Sequence, residues 1–276
     1  MKYIDYSDFI KKLDTFIYFL KHKTDNRFSG EFINMLLSKA YTHGIYEDLK
    51  LASKYLSPNS KVLDLGTGIG FIPLLLDSGL DYDAFEIKLS SKNNTYSFGV
   101  TKETENQKNI IEREKYLHDT WKKIKSKNVK YKFYDGINIP SKTGKYDMVL
   151  LHAVWEHVPH QVQPQLMQEI KRVLKKDGIL YITRLPRKLA YQEYLARLLN
   201  LGGHEWLYSE SATKKEMQEY GFQVLNMSRM DVLFSFPHNI WNPIHKFIIT
   251  LDKLLLKTPL SIFAHEFRII LRKNPK

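Results

Sequence analysis

The stretch KVLDLGTGIGFIPLLL, residues 61–76, decides the fold of this chain. It is typical of a buried strand, a glycine-rich turn and the start of a helix. Gly66, Gly68 and Gly70 give the turn a G-x-G-x-G spacing. The fingerprint of dinucleotide-binding folds, G-x-G-x-x-G, would place its third glycine where this chain has Phe71. The pattern therefore predicts a ligand-binding turn that is not shaped in the usual way for a pyrophosphate.

Two carboxylates flank this glycine loop. Asp64 lies inside the end of the first predicted strand, and Glu86 ends the next one, twenty-two positions later. A carboxylate repels a phosphate and favours a cationic or amine-bearing ligand, while an acidic residue at the position of Glu86 can accept both hydroxyls of a ribose. A ligand with a ribose, a positive charge and no phosphate matches S-adenosyl-L-methionine. The alternatives are an ordinary tight turn for the glycines and a surface charge for Glu86.

From residue 61 onward, short apolar runs alternate with helical patterns. Strands are predicted at 61–66, 82–87, 130–135, 146–152 and 178–184. Such alternation is typical of a parallel sheet covered by helices on both faces. Two later segments, FQVLNMSRMDVLF and EFRIILRK, are predicted to form a final antiparallel pair. The expected fold is α/β: a doubly wound, Rossmann-like sheet of seven strands, mostly parallel with an antiparallel last strand.

The chain is predicted to begin with a helical cap, residues 1–57, whose first helix is capped by Ser7. The turn signal Ser57-Pro58-Asn59 marks the expected boundary with a core domain, residues 58–276. Helical insertions in that domain are predicted at about 88–129, 185–202 and 237–260.

Composition excludes several classes of protein. The chain has 276 residues and no cysteine, so disulfides, thiolate nucleophiles and cysteine metal sites are absent. It lacks the apolar runs of a signal peptide or of a membrane span, which favours a cytoplasmic protein. Its formal net charge of +12 indicates either a solvated, lysine-rich surface or an anionic partner such as lipid head groups, a phosphorylated substrate or nucleic acid.

Beyond the glycine loop, three further motifs stand in the order that a known family uses. They are YKFYDGINIP (131–140), GKYDMVLLHAVWEHV (144–158) and LKKDGILYIT (174–183). With them, roughly residues 58–228 resemble the class I S-adenosylmethionine-dependent methyltransferases. The resemblance implies S-adenosyl-L-methionine as the cofactor, with Asp135 reaching its adenine amino group; an ordinary turn at Asp135-Gly136 is the alternative. The residues it implies for cofactor binding are Asp64, Gly66, Thr67, Gly68, Gly70, Glu86, Ile87, Asp135, Gly136 and His152.

A closer resemblance is to the O-methyltransferases of the ubiquinone-biosynthesis type. It is carried by Glu156-His157-Val158-Pro159, Thr183-Arg184 and His204-Glu205-Trp206. That group often has another glutamate three positions before its Glu-His pair, and this glutamate is linked to metal dependence. Here the position is Ala153. Because Glu156 and His157 alone are few ligands for a metal ion, no catalytic metal is expected.

Three histidines are candidates for catalysis. His152 ends the fourth strand beside the expected methyl group, His157 belongs to the Glu-His pair, and His204 follows the fifth strand. A histidine suits proton removal from a hydroxyl at neutral pH. Each of the three has a structural alternative, as a packing residue or a hydrogen-bonded loop residue. Tyr96 and Phe98 are further candidates for covering the cofactor.

The predicted function is O-methylation of a small-molecule, lipid-linked or glycan acceptor. The alternatives are a nucleic-acid methyltransferase, favoured by charge alone, and a non-catalytic protein that binds S-adenosyl-L-methionine. The basic, amphipathic segment PRKLAYQEYLARLL and the apolar segment NPIHKFIITLDKLLLKTPL add a hypothesis of peripheral contact with the inner face of a membrane. The alternative is that both segments bury their apolar faces on the domain.

Overall fold

The computed structural model describes residues 4–76, 79–90, 107–124, 126–200, 203–233 and 239–274. These residues form a seven-stranded sheet with the order β3-β2-β1-β4-β5-β7-β6. The strands are β1 (Lys61–Leu65), β2 (Asp81–Ile87), β3 (Val129–Tyr134), β4 (Tyr146–His152), β5 (Leu174–Pro186), β6 (Phe222–Met230) and β7 (Glu266–Lys273).

Strands β1 to β5 pair in parallel, and β7 runs antiparallel to both β5 and β6. The predicted fold class is confirmed, including the antiparallel end of the sheet. The strand order reverses between β1 and β4, which makes this pair the switch point of the sheet.

Strand β5 is longer than the predicted 178–184. Leu174 already pairs with Tyr146, and Pro186 still pairs with Glu266. The motif LKKDGILYIT contains an irregularity inside this strand, because Asp177 takes a left-handed φ of 59°. The sequence therefore locates the centre of the strand but not the pairing that extends both of its ends.

The helices are α1 (Tyr6–Lys23), α2 (Asn26–Leu37), α3 (Lys39–Ser53), α4 (Ile72–Leu75), α5 (Gln107–Lys123), α6 (Gln163–Val173), α7 (Tyr191–Leu198), α8 (Glu210–Glu219) and α9 (His245–Leu255). Short 3₁₀ turns cover Trp155–His157, Asn239–Ile244 and Pro259–Phe263. The prediction that Ser7 caps α1 is wrong. The Asp5 carboxylate caps this helix, since it accepts the Ser7 amide at 2.7 Å.

Both faces of the sheet are covered, as predicted. Val62 and Met148 pack with α1, α2 and α3 in one hydrophobic cluster, whereas their neighbours Leu63 and Val149 pack with α6 and α8 in the other. This alternation follows the two-residue period of side chains along a strand. The two hydrophobic cores therefore lie on opposite faces of the sheet. The ends of the strands lie between them, where a binding site can form.

Asp48 joins the N-terminal helices to the far half of the sheet. It lies on α3 and is buried, and its Oδ1 accepts from Arg268 Nη1 at 2.8 Å and from Tyr181 Oη at 3.4 Å. Its Oδ2 lies 3.5 Å from Nε of the buried Arg184. Buried charges are tolerated when they are paired in this way. The boundary predicted at Ser57-Pro58-Asn59 stays a prediction.

The three predicted insertions contain α5, α7 and α9. The candidates Tyr96 and Phe98 lie outside the described residues. No buried residue is found in α9 or in the 3₁₀ turn Pro259–Phe263. The exposed apolar segment, residues 240–263, presents to solvent Ile240, Trp241, Ile244, Phe247, Leu254, Leu260, Ile262 and Phe263. Within the described residues, no helix has the length and apolar character needed to cross a membrane.

Candidate active site

A cavity of about 370 Å³ opens at the carboxyl ends of β1, β2 and β4. It lies at the switch point of the sheet, where open α/β folds bind their ligands. The loop after β1 forms one wall and α5 another, while Phe32, Met35 and Tyr41 contribute from the N-terminal helices. Its volume falls within the roughly 300–1,000 Å³ of small-molecule sites.

The glycine loop brings backbone into this cavity. The φ angles of Gly66, Gly68 and Gly70 are 75°, 55° and 82°, a left-handed region that favours glycine. The amides of Gly66 and Thr67 donate to the carbonyl oxygen of Phe85 at 2.8 and 3.1 Å, which ties the loop to β2. A Cβ at Gly68 would meet no atom within 4 Å. The loop is thus held in place while its Gly68 edge leaves space for a ligand.

An aromatic pair supports the loop from behind. Trp121 Nε1 donates to the Gly68 carbonyl at 3.1 Å, and Tyr131 Oη donates to the Gly70 carbonyl at 3.0 Å. The two rings stack with centroids 5.4 Å apart. Nothing in the sequence of α5 indicates this contact of Trp121. Arg113 and Glu114 of α5, which line the cavity, were also missed.

Glu86 stands at the end of β2, as predicted, and lines the cavity. Its Oε2 accepts the Gly68 amide at 2.6 Å and its Oε1 accepts the Ile87 amide at 3.0 Å. Burial raises the pKa of Glu86, and the two amides oppose that shift. The carboxylate is therefore fixed by backbone donors at the place where a ribose hydroxyl would be accepted.

Asp64 is buried, and its Oδ2 has no hydrogen-bond partner within the described part of the chain. Burial raises the pKa of this carboxyl to about 7. Thr67 Oγ1 and His152 Nε2 are likewise buried without partners there. Orphaned polar atoms of this kind are costly, and a bound ligand can satisfy them. The set fits a positively charged adenosine ligand that carries an ammonium group.

His152 ends β4 and lines the cavity, as predicted. Its Nδ1 hydrogen-bonds with Thr183 Oγ1 at 2.8 Å, and its ring meets the edge of Phe71 with centroids 6.2 Å apart. Burial, aided by the charge of Arg184, lowers the pKa of His152 to about 3. The imidazole is neutral at pH 7, so it can accept or donate one hydrogen bond in the cavity without adding positive charge.

His157 lines the same cavity from the 3₁₀ turn after β4. Burial lowers its pKa, and the nearby His204 lowers it further. The rings of His157 and His204 have centroids 5.9 Å apart. Glu156 is buried beside them with its pKa well above the usual range, because burial disfavours the carboxylate. The fold therefore brings together two of the predicted catalytic histidines, one from a segment before β5 in the chain and one from a segment after it.

His204 has close partners that the sequence did not suggest. Its Nδ1 lies 2.7 Å from Glu193 Oε1, and the same oxygen lies 2.7 Å from Nε2 of His265. Glu193 belongs to α7 and His265 directly precedes β7. Trp206 packs against the second hydrophobic cluster, and its ring is tilted by 53° to that of His160, with centroids 4.9 Å apart.

A family model described as a methyltransferase domain matches residues 38–226, more than half of the chain. This chain belongs to the methyltransferase-domain family. No curated protein matches the sequence. The match includes the glycine loop, Glu86 and the segment from β4 to β6, and the cofactor of this methyltransferase is S-adenosyl-L-methionine. The likeness to the ubiquinone type in particular stays a prediction.

Several solved structures share the fold of this chain although their sequence identity to it is low. A SAM-dependent methyltransferase from Methanosarcina mazei is 16% identical, with a TM-score of 0.52 over 82% of this chain and 98% of that one. The YcgJ protein from Bacillus subtilis is 15% identical, with a TM-score of 0.53 over 84% and 100%. The cyclase SpnF is also 15% identical, with a TM-score of 0.53 over 83% and 80%. A neighbour named a cyclase illustrates that fold alone does not fix the reaction.

Asp135 does not line the cavity in the methyltransferase. Its Oδ1 accepts the amides of Ile137 and Asn138 at 2.8 and 2.6 Å, and its Oδ2 accepts Asn138 Nδ2 at 2.6 Å. Gly136 follows with a left-handed φ of 88°. The structure thus engages this carboxylate as a turn former, and the expected contact between Asp135 and the adenine amino group stays a prediction.

The fold adds a third possible metal ligand to the Glu-His pair of the methyltransferase. Glu156, His157 and His204 each offer an atom within 4.8 Å of the others. The shortage of ligands that led to the expectation of no metal therefore does not describe the folded site. The expectation itself stays a prediction.

Two residues near the carboxyl ends of the adjacent strands β4 and β5 have strained backbone conformations. Ala153 after β4 and Arg184 in β5 have φ angles of 54° and 64°. Neither residue is a glycine or an asparagine, so each costs energy in this region. Arg184 is held by Asp231 and Glu266 at 3.2 Å each. Ala153, at the position where the ubiquinone-type group often has a glutamate, lies on the cavity wall between His152 and the 3₁₀ turn.

Proposed function

We propose that this methyltransferase methylates a hydroxyl oxygen of a small-molecule, lipid-linked or glycan acceptor. The observation that supports it best is the pair of His157, on the cavity wall, and His204, 5.9 Å away between ring centroids. A hydroxyl is a weak nucleophile until its proton is removed, and a positioned imidazole does this at neutral pH. Burial lowers the pKa of His157, which keeps its imidazole neutral as a hydrogen-bonding group for the hydroxyl but makes it a weak base.

When bound, S-adenosyl-L-methionine supplies a methyl group on a sulfonium that leaves as a neutral thioether. The backbone at Gly68, the carboxylate of Glu86 and the orphaned Oδ2 of Asp64 would hold its ribose and its ammonium group. His152 closes this cavity at the end of β4. These residues orient the cofactor, and positioning of this kind can contribute about 7–11 kcal/mol.

A methyl-transfer screen over phenols, sugars and lipid-linked glycans, read by mass spectrometry of the product, tests the proposal. His204→Ala and His157→Ala are compared with wild type, and His22→Ala on the exposed surface of α1 is the matched control. We expect loss of about 10²-fold or more in kcat for at least one of the first two and none for the control. Full turnover by both on the true acceptor would contradict the assignment of a histidine base. Methylation only at nitrogen or carbon would contradict the acceptor class.

The exposed apolar segment 240–263 supports an amphipathic acceptor that is met at an anionic lipid surface. Ile240 and Phe247 are 67% and 65% exposed, which is unusual for side chains of this size when they are so close together. The lysines of the same segment, Lys246, Lys253 and Lys257, are exposed as well. Apolar side chains with lysines around them match the interface of an anionic membrane.

Sedimentation with vesicles of anionic and of neutral lipid tests this contact. Phe247→Ser and Trp241→Ser are expected to stay in the supernatant while wild type sediments with anionic vesicles. Tyr18→Ser, at a side chain that is 64% exposed on α1, is the control and is expected to sediment like wild type. Equal solubility of wild type and of both variants would refute the membrane contact and leave the acceptor assignment untouched.

Nucleic-acid methylation remains the alternative, on the strength of the net charge of +12. Lys171, Arg172 and Lys176 form a basic group where α6 meets β5. This is the amino end of β5, whereas the cavity lies at the carboxyl ends of the parallel strands. A steep fall in RNA affinity with salt, together with methyl transfer to RNA, would favour this alternative.

A further inference from the structure

The most tightly organised group of titratable side chains near the cavity is Glu193 with its two histidines. Glu193 is 3% exposed, and three N–H groups point at its carboxylate. The donors are His204 Nδ1 at 2.7 Å, the His204 amide at 2.9 Å and His265 Nε2 at 2.7 Å. These hydrogen bonds connect α7, the segment after it and the residue before β7. Several elements of the fold therefore converge on one buried carboxylate.

The geometry dictates where the imidazole protons lie. A carboxylate only accepts hydrogen bonds, so His204 must carry a proton on Nδ1 and His265 must carry one on Nε2. Burial raises the pKa of Glu193, but the hydrogen bonds from His204 and His265 outweigh it and hold the pKa well below its usual range. Glu193 is therefore ionised. In neutral His204 the lone pair is then on Nε2, for which the described residues provide no hydrogen-bond partner.

The backbone around His204 is held as firmly as its ring. The His204 amide donates to Glu193 Oε2 at 2.9 Å, and its carbonyl accepts Arg197 Nη2 at 2.6 Å. Both partners lie on α7. The opposite side of the cluster is anchored too, because the His265 amide donates to the Asp231 carbonyl at 2.8 Å. The imidazole is thus fixed in position as well as in tautomer.

We propose that Glu193, supported by His265, is a positioning residue that presents Nε2 of His204 as the proton acceptor for the methyl acceptor's hydroxyl. The inference rests on the proposed function, in which a histidine base acts beside His157. The hydroxyl's O–H bond breaks and its proton goes to His204 Nε2. The oxygen's electron pair forms the new O–CH₃ bond, and the pair of the broken C–S bond stays on the sulfur. The ionised Glu193 stabilises the imidazolium that results, and solvent later removes the proton.

The surroundings of His204 suit this role. His157 and Glu156 face it from the 3₁₀ turn after β4, each with one side-chain atom within 4.8 Å of a nitrogen of His204. His265 faces the far side of Glu193. Burial lowers the pKa of His265, but the bond to Glu193 and the charges of Glu266 and Asp231 give a net increase. When His204 accepts a proton, its imidazolium is therefore hydrogen-bonded to one carboxylate, that of Glu193. Among the described residues, no fixed cation lies within hydrogen-bond distance of its ring.

Nitrogen-15 NMR of histidine-labelled protein tests the tautomer without any acceptor. Wild type is expected to show His204 protonated at Nδ1, with a downfield N–H proton; His204→Gln assigns the signal. In Glu193→Leu, the side chain offers no acceptor to Nδ1 of His204, so the signal is expected to vanish or move to Nε2. Glu193→Asp keeps the charge and is expected to restore part of the signal. Glu205→Gln, at an exposed neighbour of His204, is the control.

Kinetics with the acceptor found by the screen complete the test. Glu193→Gln is expected to lower kcat by about 10²-fold or more while KM changes less than threefold, with partial recovery in Glu193→Asp. An unchanged His204 tautomer in Glu193→Leu, or unchanged kcat in a folded Glu193→Gln, would overturn the proposal. A metal ion bound at Nε2 of His204 would also overturn the proposal. In that case a chelator would lower the activity of wild type as the substitution does, and added Mg²⁺ would restore it. Calorimetry with S-adenosyl-L-methionine separates this from failure of the proposed function, since cofactor binding is expected in every variant.

Discussion

Replacing Asp64 with asparagine is expected to change how the stability of the cofactor-free protein depends on pH. Burial raises the pKa of this carboxyl to about 7, compared with 3.8 for a free side chain. Between these two values the folded state binds one more proton than the unfolded state. The free energy of unfolding of wild type therefore decreases as the pH rises through that window, by about 1.4 kcal/mol per pH unit.

Asparagine at position 64 cannot titrate, so this loss is absent in the variant. The difference in unfolding free energy, Asp64→Asn minus wild type, is expected to grow by about 2.5 kcal/mol between pH 5 and pH 8 and to level off above pH 7. Two other contributions do not affect how this difference changes with pH, to first order. One is any pH-independent effect of the amide, and the other is the titration of Glu86, which both proteins contain. Chemical unfolding of both proteins at half-unit pH intervals, without cofactor, measures it.

The cofactor provides the second arm of this test. A cationic ligand next to Asp64 favours the ionised form and lowers its pKa, so S-adenosyl-L-methionine should stabilise wild type more at pH 8 than at pH 5. The variant should gain little at either pH. Parallel stability curves for the two proteins from pH 5 to pH 8 would refute the reasoning, because they would mean that Asp64 does not titrate in this range.

Three further changes have outcomes that follow from single contacts. Glu86→Ala removes a charged hydrogen-bond acceptor and should weaken S-adenosyl-L-methionine binding at least tenfold by calorimetry; unchanged affinity would remove Glu86 from the site. Gly70→Ala should destabilise the fold by more than about 1 kcal/mol, because its φ is left-handed and a Cβ there would collide with Tyr131, whereas Gly30→Ala in open space on α2 should cost nothing in the same thermal melt. The carbonyls of Ile262 and Ala264 accept from Arg187 Nη1 at 2.8 Å each, so Arg187→Ala should increase hydrogen exchange in residues 259–264. Equal exchange in the variant and in wild type would contradict this anchoring role.

The parts of the site that the sequence predicts are those encoded locally. The glycine loop, Glu86 and His152 stand at strand ends, and a strand end is visible in one short stretch of apolar residues. Parallel strands place those ends at one edge of the sheet, so three separate motifs meet without any knowledge of their packing. Asp135 also follows a strand, but its carboxylate is used by the next turn. A local pattern gives the position of such a residue and not its partners.

The parts that the sequence does not predict depend on contacts between distant segments. Glu193 and His265 are 72 positions apart, and both lie in stretches that suggest an amphipathic helix or the start of a strand. Arg187 belongs to a basic segment that favoured a membrane-facing role, yet it is buried against backbone carbonyls. A charged side chain in an amphipathic pattern is usually solvated, and only the fold reveals which one is enclosed. Composition correctly indicates the charge of the surface but does not assign individual residues to it.

The bond between Asp48 and the two arginines of the sheet has a consequence for protein engineering. A chimera whose first three helices come from a relative without a carboxylate at the position of Asp48 would deprive both Arg184, which is buried, and Arg268, which is half-buried, of a counter-charge. Exchange of this segment between family members therefore has to transfer the matching positions of β5 and β7 along with it. The N-terminal helices and these strands of the sheet therefore have to be exchanged together.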